Sequence, residues 1–141
     1  MQTVQHSVLV AQVPSDPAQR LFLFGIRRLG CDGLHDAAVA HAFLIAFGAG
    51  FRRQMMAMRA FVTEVARHSN RTIQLSPWCC GRATADEIAL CDAVRLSVRD
   101  PARASLLLAD VLGRRDCAGV VGVASWLAQG FADAGMPIEA G

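Results

Sequence analysis

Between Ser76 and Glu87 the chain breaks a helical pattern that otherwise runs through most of its length. The stretch reads Ser76-Pro77-Trp78-Cys79-Cys80-Gly81-Arg82-Ala83-Thr84-Ala85-Asp86-Glu87. Pro77 and Gly81 stop a helix, and Thr84 with Glu87 stands at the spacing of a capping box. In that motif the threonine oxygen accepts from the N3 amide while the glutamate accepts from the N-cap amide. A new helix must therefore start at Thr84, with one helical layer before the break and a second after it.

Other punctuation is of the same kind. Ser15-Asp16-Pro17 and Asp100-Pro101 each place a capping side chain before a proline at the first helical position, where its missing N–H is no loss. The first predicts a helix to about Leu29, stopped by Gly30, and the second a helix ending near Gly113 with Leu106, Leu107, Val111 and Leu112 in the core. Between Leu34 and Phe47 a helix is expected with Leu34, Ala38, His41 and Ile45 on its buried face, closed by Gly48-Ala49-Gly50. The clearest amphipathic pattern runs from Phe51 to His68, with Phe51, Met55, Met58, Val62 and Val65 on one side and Phe61 beside them. From Thr84 a helix runs to about Val98, burying Ile88, Cys91, Val94 and Val98. Asp116 caps the last, from Cys117 to Ala134, stopped by Gly135.

These elements predict an all-α fold: a bundle of about six helices with short loops. One short extended segment is expected over 71–76, where polar and apolar residues alternate before Pro77. Its candidate partners are the N-terminal arm, residues 1–14 with Val8, Leu9, Val10 and Val13, or the same segment of a second copy. The helical domain spans 15–135, and a loose tail covers 136–141.

Composition bears on partners. Apolar residues make up 53% of the 141, with a mean hydropathy of +0.33, high for a soluble monomer. The uncharged runs Ala37–Phe51 and Cys117–Ala132 fall short of the roughly 20 residues a spanning helix needs. The excess therefore points to a soluble homo-oligomer, most simply a dimer. Gly119, Gly122, Ala124, Ala128 and Gly130 in the last helix permit close approach of another backbone. All 14 basic residues are arginine, yet the net charge is only +2, which gives no electrostatic case for nucleic acid. The pairs Arg27-Arg28, Arg52-Arg53 and Arg114-Arg115 read as helix-end cations or solvated faces. The N-terminus lacks the pattern of a signal peptide, so the cytoplasm is expected, with reduced thiols.

Chemistry is sparse. Cys79-Cys80, shortly before a helix N-terminus and near Arg82, are candidate reactive thiols or half of a soft-metal site. The plainer reading packs them as small apolar groups beside Trp78. Cys31 and His35 are further candidate metal ligands, but only through tertiary contact. His35 and His41 lie about 120° apart around a helix of 3.6 residues per turn. No cofactor is predicted. Met55, Met56 and Met58 read as core, and no phosphate loop, G-x-S-x-G or H-E-x-x-H occurs, so the reading leans away from an enzyme. It favours a self-associating protein-interaction module, the alternative being a thiol-redox or metal-binding protein centred on Cys79-Cys80.

One set of marks recurs together: Ile26-Arg27-Arg28 then Gly30, Leu34-His35-Asp36-Ala37, Ala46-Phe47-Gly48 with Phe51-Arg52-Arg53, and Cys79-Cys80-Gly81-Arg82 running into Thr84. This set resembles the small uncharacterised helical proteins of GC-rich proteobacteria grouped as a domain of unknown function, over residues 20–138. The resemblance implies a stand-alone cytoplasmic protein and transfers no catalytic residue.

Overall fold

A computed structural model describes residues 2–3 and 9–139. Val8, expected in the N-terminal arm, lies outside the described residues, as do the last two residues of the tail. Six α-helices make up most of the described residues. In chain order the elements are β1 (Gln2–Thr3), β2 (Leu9–Gln12), α1 (Pro17–Asp32), α2 (Ala37–Phe47), α3 (Arg52–His68), β3 (Gln74–Leu75), β4 (Arg82–Thr84), α4 (Ala85–Leu96), α5 (Pro101–Leu112) and α6 (Ala118–Asp133).

The helix starts follow their caps. The side chain of Asp16 accepts from the Gln19 amide, Asp36 from Val39, Thr84 from Glu87 and Asp100 from Arg103. Asp116 accepts from the Ala118 amide at 3.1 Å, just after Cys117, which occupies the N-cap position. The first helix does not stop at Gly30. It continues to Asp32 and ends at Gly33, whose φ of +111° supplies the left-handed turn. A glycine inside a helix costs only about 1 kcal/mol, so Gly30 alone could not end it. α2 begins at Ala37 rather than Leu34 because Asp36 is the capping residue.

The faces of α2 differ from the sequence expectation. Val39 and Phe43 are buried and Phe47 half-buried, whereas Ala38, His41 and Ile45 are exposed, Ile45 at 71%. The helix has no charged residue between Ala37 and Phe47, so its periodicity offers no contrast by which to choose a side. Aromatic packing decides. Phe43 and Phe47 lie 5.9 and 4.9 Å from Phe131 of α6, centroid to centroid, in edge-to-face geometry. Two core assignments later in the chain also change. Val98 lies beyond the end of α4 and Leu106 is 72% exposed, while Leu90 and Leu108 are fully buried.

α3 carries the expected core face: Met55, Met58, Phe61, Val62 and Val65 are buried, and Phe51 is half-buried. It packs along α6, and α4 packs along α5. The small residues of α6 are partly spent here. Ala124 is fully buried, and a Cβ at Gly130 would meet Arg53 and Gln54 of α3 at 3.9 Å, whereas Gly122 faces open space. α1 also approaches α3 closely, since a Cβ on Gly25 would lie 3.0 Å from Cε of Met58.

The strands are short. β1 pairs parallel with β3, and β2 pairs antiparallel with β4 across a bulge between Leu9 and Ala11. Of the extended segment expected over 71–76, only Gln74–Leu75 is strand, and the N-terminal arm is its partner. At the other end, Ile138 is buried and the Gln19 side chain donates to the Glu139 carbonyl.

Candidate functional site

The break at Ser76–Glu87 folds around one buried ion pair. Arg27 of α1 is 3% exposed and Glu87 of α4 is fully buried. The Nε of Arg27 donates to Oε2 of Glu87 at 2.7 Å and its Nη2 to Oε1 at 3.1 Å. The same guanidinium donates to the carbonyls of Cys80 at 2.8 Å and Arg82 at 2.9 Å. Glu87 in turn accepts from the amides of Ser76 and Thr84, completing the capping box. Its neighbour Asp86 accepts from the Gln74 amide at 2.8 Å and pairs with Arg71. Burying such a pair is tolerated only when its other hydrogen-bonding positions are filled, and here backbone groups of the loop fill them. The loop is thus tied to α1 and α4 together.

In front of this clamp the chain makes a turn, closed by the Cys80 amide donating to the Pro77 carbonyl at 3.0 Å. Trp78 stands out from the turn, 55% exposed. Its ring meets the edge of Phe24 at 6.4 Å and lies 5.7 Å from the Arg28 guanidinium, within cation–π range. Arg28 is fixed by two hydrogen bonds of 2.9 Å to Asp36, the residue that caps α2. Hydrogen bonding to Arg28 holds the Asp36 carboxyl below the usual carboxylate range, and Arg28 is raised in return. Between the turn, α1 and α2 runs a groove of about 940 Å³, walled by residues such as Leu21, Phe24, Ala42, Ala46 and Trp78, with Cys79 and Cys80 on its lining.

Residues 3–115 match a family of unknown function, DUF6628. The chain belongs to this family. No curated protein and no solved structure matches it. The DUF6628 match takes in the clamp, the turn and the α1 and α2 walls of the groove, and it ends just before α6.

Within this DUF6628 chain the residues singled out from sequence are dispersed. Cys79 is exposed and Cys80 half-buried, side by side on the groove. Cys31 is exposed in the last turn of α1 and His35 is exposed in the following loop. Among the described residues no three His, Cys, Asp or Glu side chains converge as a metal site requires. The N-terminus of α4, near which a thiol was expected to gain reactivity, has the Thr84 and Glu87 amides already engaged by the capping box. Cys91, on the inner face of α4, is buried, and desolvation pushes its thiol up to about 12, which keeps it protonated and inert. Met55 and Met58 are core, while Met56 is 58% exposed.

Sequence reasoning missed the role of Arg27, which reads as one half of a surface arginine pair. A signal was present: Arg27 falls four residues after Leu23, on the buried face of α1. Arg53 does behave as a surface cation, pairing with Asp133 at 2.9 Å with both side chains nearly half exposed.

Proposed function

We propose that the protein is a cytoplasmic, self-associating interaction module without catalysis, and that the outer face of α2 is where a second copy packs. One observation carries the reading. Apart from an exposed His41, α2 is apolar around its circumference, with no Asp, Glu, Lys or Arg, yet only Val39 and Phe43 are fully buried, while Leu44 and Ile45 are exposed at 44% and 71%. A helix apolar on all sides is ordinarily covered on all sides, and a two-fold axis beside α2 would set the same face against itself. No helix among the described residues is long and apolar enough to cross a membrane, so a bilayer-spanning role for this surface lacks support. The reading away from catalysis draws on the buried acids: Asp86 and Glu87 are engaged by arginines and backbone amides rather than aimed at open space. A second reading, a thiol-redox or soft-metal protein, is favoured by the exposed Cys79 next to Cys80 on the groove.

A native mass spectrum of untagged protein at micromolar concentration tests both. The expected result is a dimer at the bare polypeptide mass, converted to monomer by Ile45→Glu. A monomeric wild type rejects self-association, and added mass lost on Cys79→Ser would transfer the case to the second reading.

A further inference from the structure

The groove in front of the clamp is chemically lopsided. Its walls are mainly apolar side chains of α1, α2 and the Trp78 turn, and among the described residues the charged ones lining it are Arg20 and Arg27. Arg27 is neutralised by Glu87. Arg20 is exposed and has no carboxylate within ion-pairing distance among the described residues. Arg20 and Phe24 are one helical turn apart on α1, so the cation and an aromatic wall share one side of that helix. The result, among the described residues, is a mainly apolar trough with one uncompensated positive charge.

We propose that this groove binds a small amphipathic carboxylic acid, its apolar body against Phe24, Leu21 and Ala42 and its carboxylate on Arg20. The space of about 940 Å³ lies within the range of small-molecule sites, which are mostly apolar with a few polar groups that set orientation. A lone guanidinium suits a carboxylate, which it can grip through two parallel hydrogen bonds. A phosphate site would draw on helix N-terminal amides, and those bordering the groove, at the start of α1, are already spent: Pro17 has no N–H, the Gln19 amide donates to the Asp16 side chain and the Arg20 amide to the Asp16 carbonyl. The complete groove belongs to one protomer, so this inference stands or falls separately from self-association.

Trp78 supplies the readout. Trp126→Phe leaves it as the sole tryptophan, and its emission can be followed at low salt during titration with decanoate, decanol or decyltrimethylammonium below their micellar concentrations. Saturable binding of decanoate is expected, about tenfold tighter than that of either analogue. Arg20→Gln should remove that preference while leaving decanol affinity unchanged. Ala46→Phe, which narrows the trough but keeps Arg20, should weaken all binding. An absent or unsaturable response, equal affinities for the three probes, or indifference to Arg20→Gln would each overturn the proposal. So would binding that Ala46→Phe leaves unchanged.

Discussion

The corner around Glu87 and the helix α2 represent opposite ways of fixing a chain in place. At the corner nearly every restraint is directional: a bidentate arginine, two backbone amides on one carboxylate, and a threonine hydroxyl that both caps α4 and donates to the Gln74 carbonyl. α2 is held at its start by Asp36 and otherwise by Val39, Phe43 and Phe47 packing into the core. Directional restraints specify one geometry and lose much when one partner is removed. Apolar contacts specify geometry loosely and leave the uncommitted side of the helix free to serve a partner. The contrast places structural specificity in the corner and adaptability on α2.

Removing the centre of the corner should have the largest effect. Glu87→Ala strands the Arg27 charge in the core, and breaking a buried pair from one side costs about 3–5 kcal/mol. Urea unfolding measures it. Glu87→Gln, which keeps the shape and one acceptor, should cost visibly less. If both variants unfold at the wild-type midpoint, the corner is not the rigid half of the comparison.

The same contrast explains what was legible in the sequence. Thr84, Glu87, Asp16 and Asp100 announce helix starts because a capping side chain acts within three residues of itself, and α3 announces its buried face by alternating with arginines. In α1 the helix passes through Gly30 and stops at Gly33, because a glycine ends a helix only where the backbone needs positive φ, which Gly33 has and Gly30 lacks. α2 could not be oriented because no face carries an Asp, Glu, Lys or Arg to mark the solvent side. The choice fell to Phe131, more than 80 residues away in sequence. Arg27 escaped notice for a related reason: its partners Glu87, Cys80 and Arg82 are brought to it only by the tertiary fold. As for the groove, Trp78 and Cys79-Cys80 drew attention as residues, but that Phe24 and Ala42 stand beside them is a fact of helix packing.

A smaller effect should follow from cutting the side-chain cap of α2. Asp36→Ala removes the cap and should cost about 1 kcal/mol, with amide exchange accelerating at Val39 and Ala40 before the α4 amides respond. Asp36→Asn keeps a capping oxygen and loses only the Arg28 pairing, so it should cost less. The pH dependence has a defined sign. The folded carboxyl sits below its ordinary value of 3.8, so its contribution is complete above that value and disappears as pH falls through the lower folded one. The acid limb of the stability curve should therefore be shallower in Asp36→Ala than in the wild type. If the α4 amides loosen together with α2, the two regions form one cooperative unit and the contrast between them fails.

The smallest stability change is expected at Ile45, and it is the most informative about α2. A residue 71% exposed contributes little to its own protomer, so Ile45→Glu should shift monomer stability by no more than about 0.5 kcal/mol, read from urea midpoints in the dilute limit. The same substitution places a charge in the centre of the proposed dimer contact, where an unpaired buried carboxylate is strongly unfavourable. Stability measured at rising protein concentration should therefore increase for the wild type, by mass action, and stay flat for the variant. A large loss in the dilute limit would mean that Ile45 is already covered within its own chain. α2 would then be an ordinary core helix, and the adaptability assigned to it would have to be sought elsewhere.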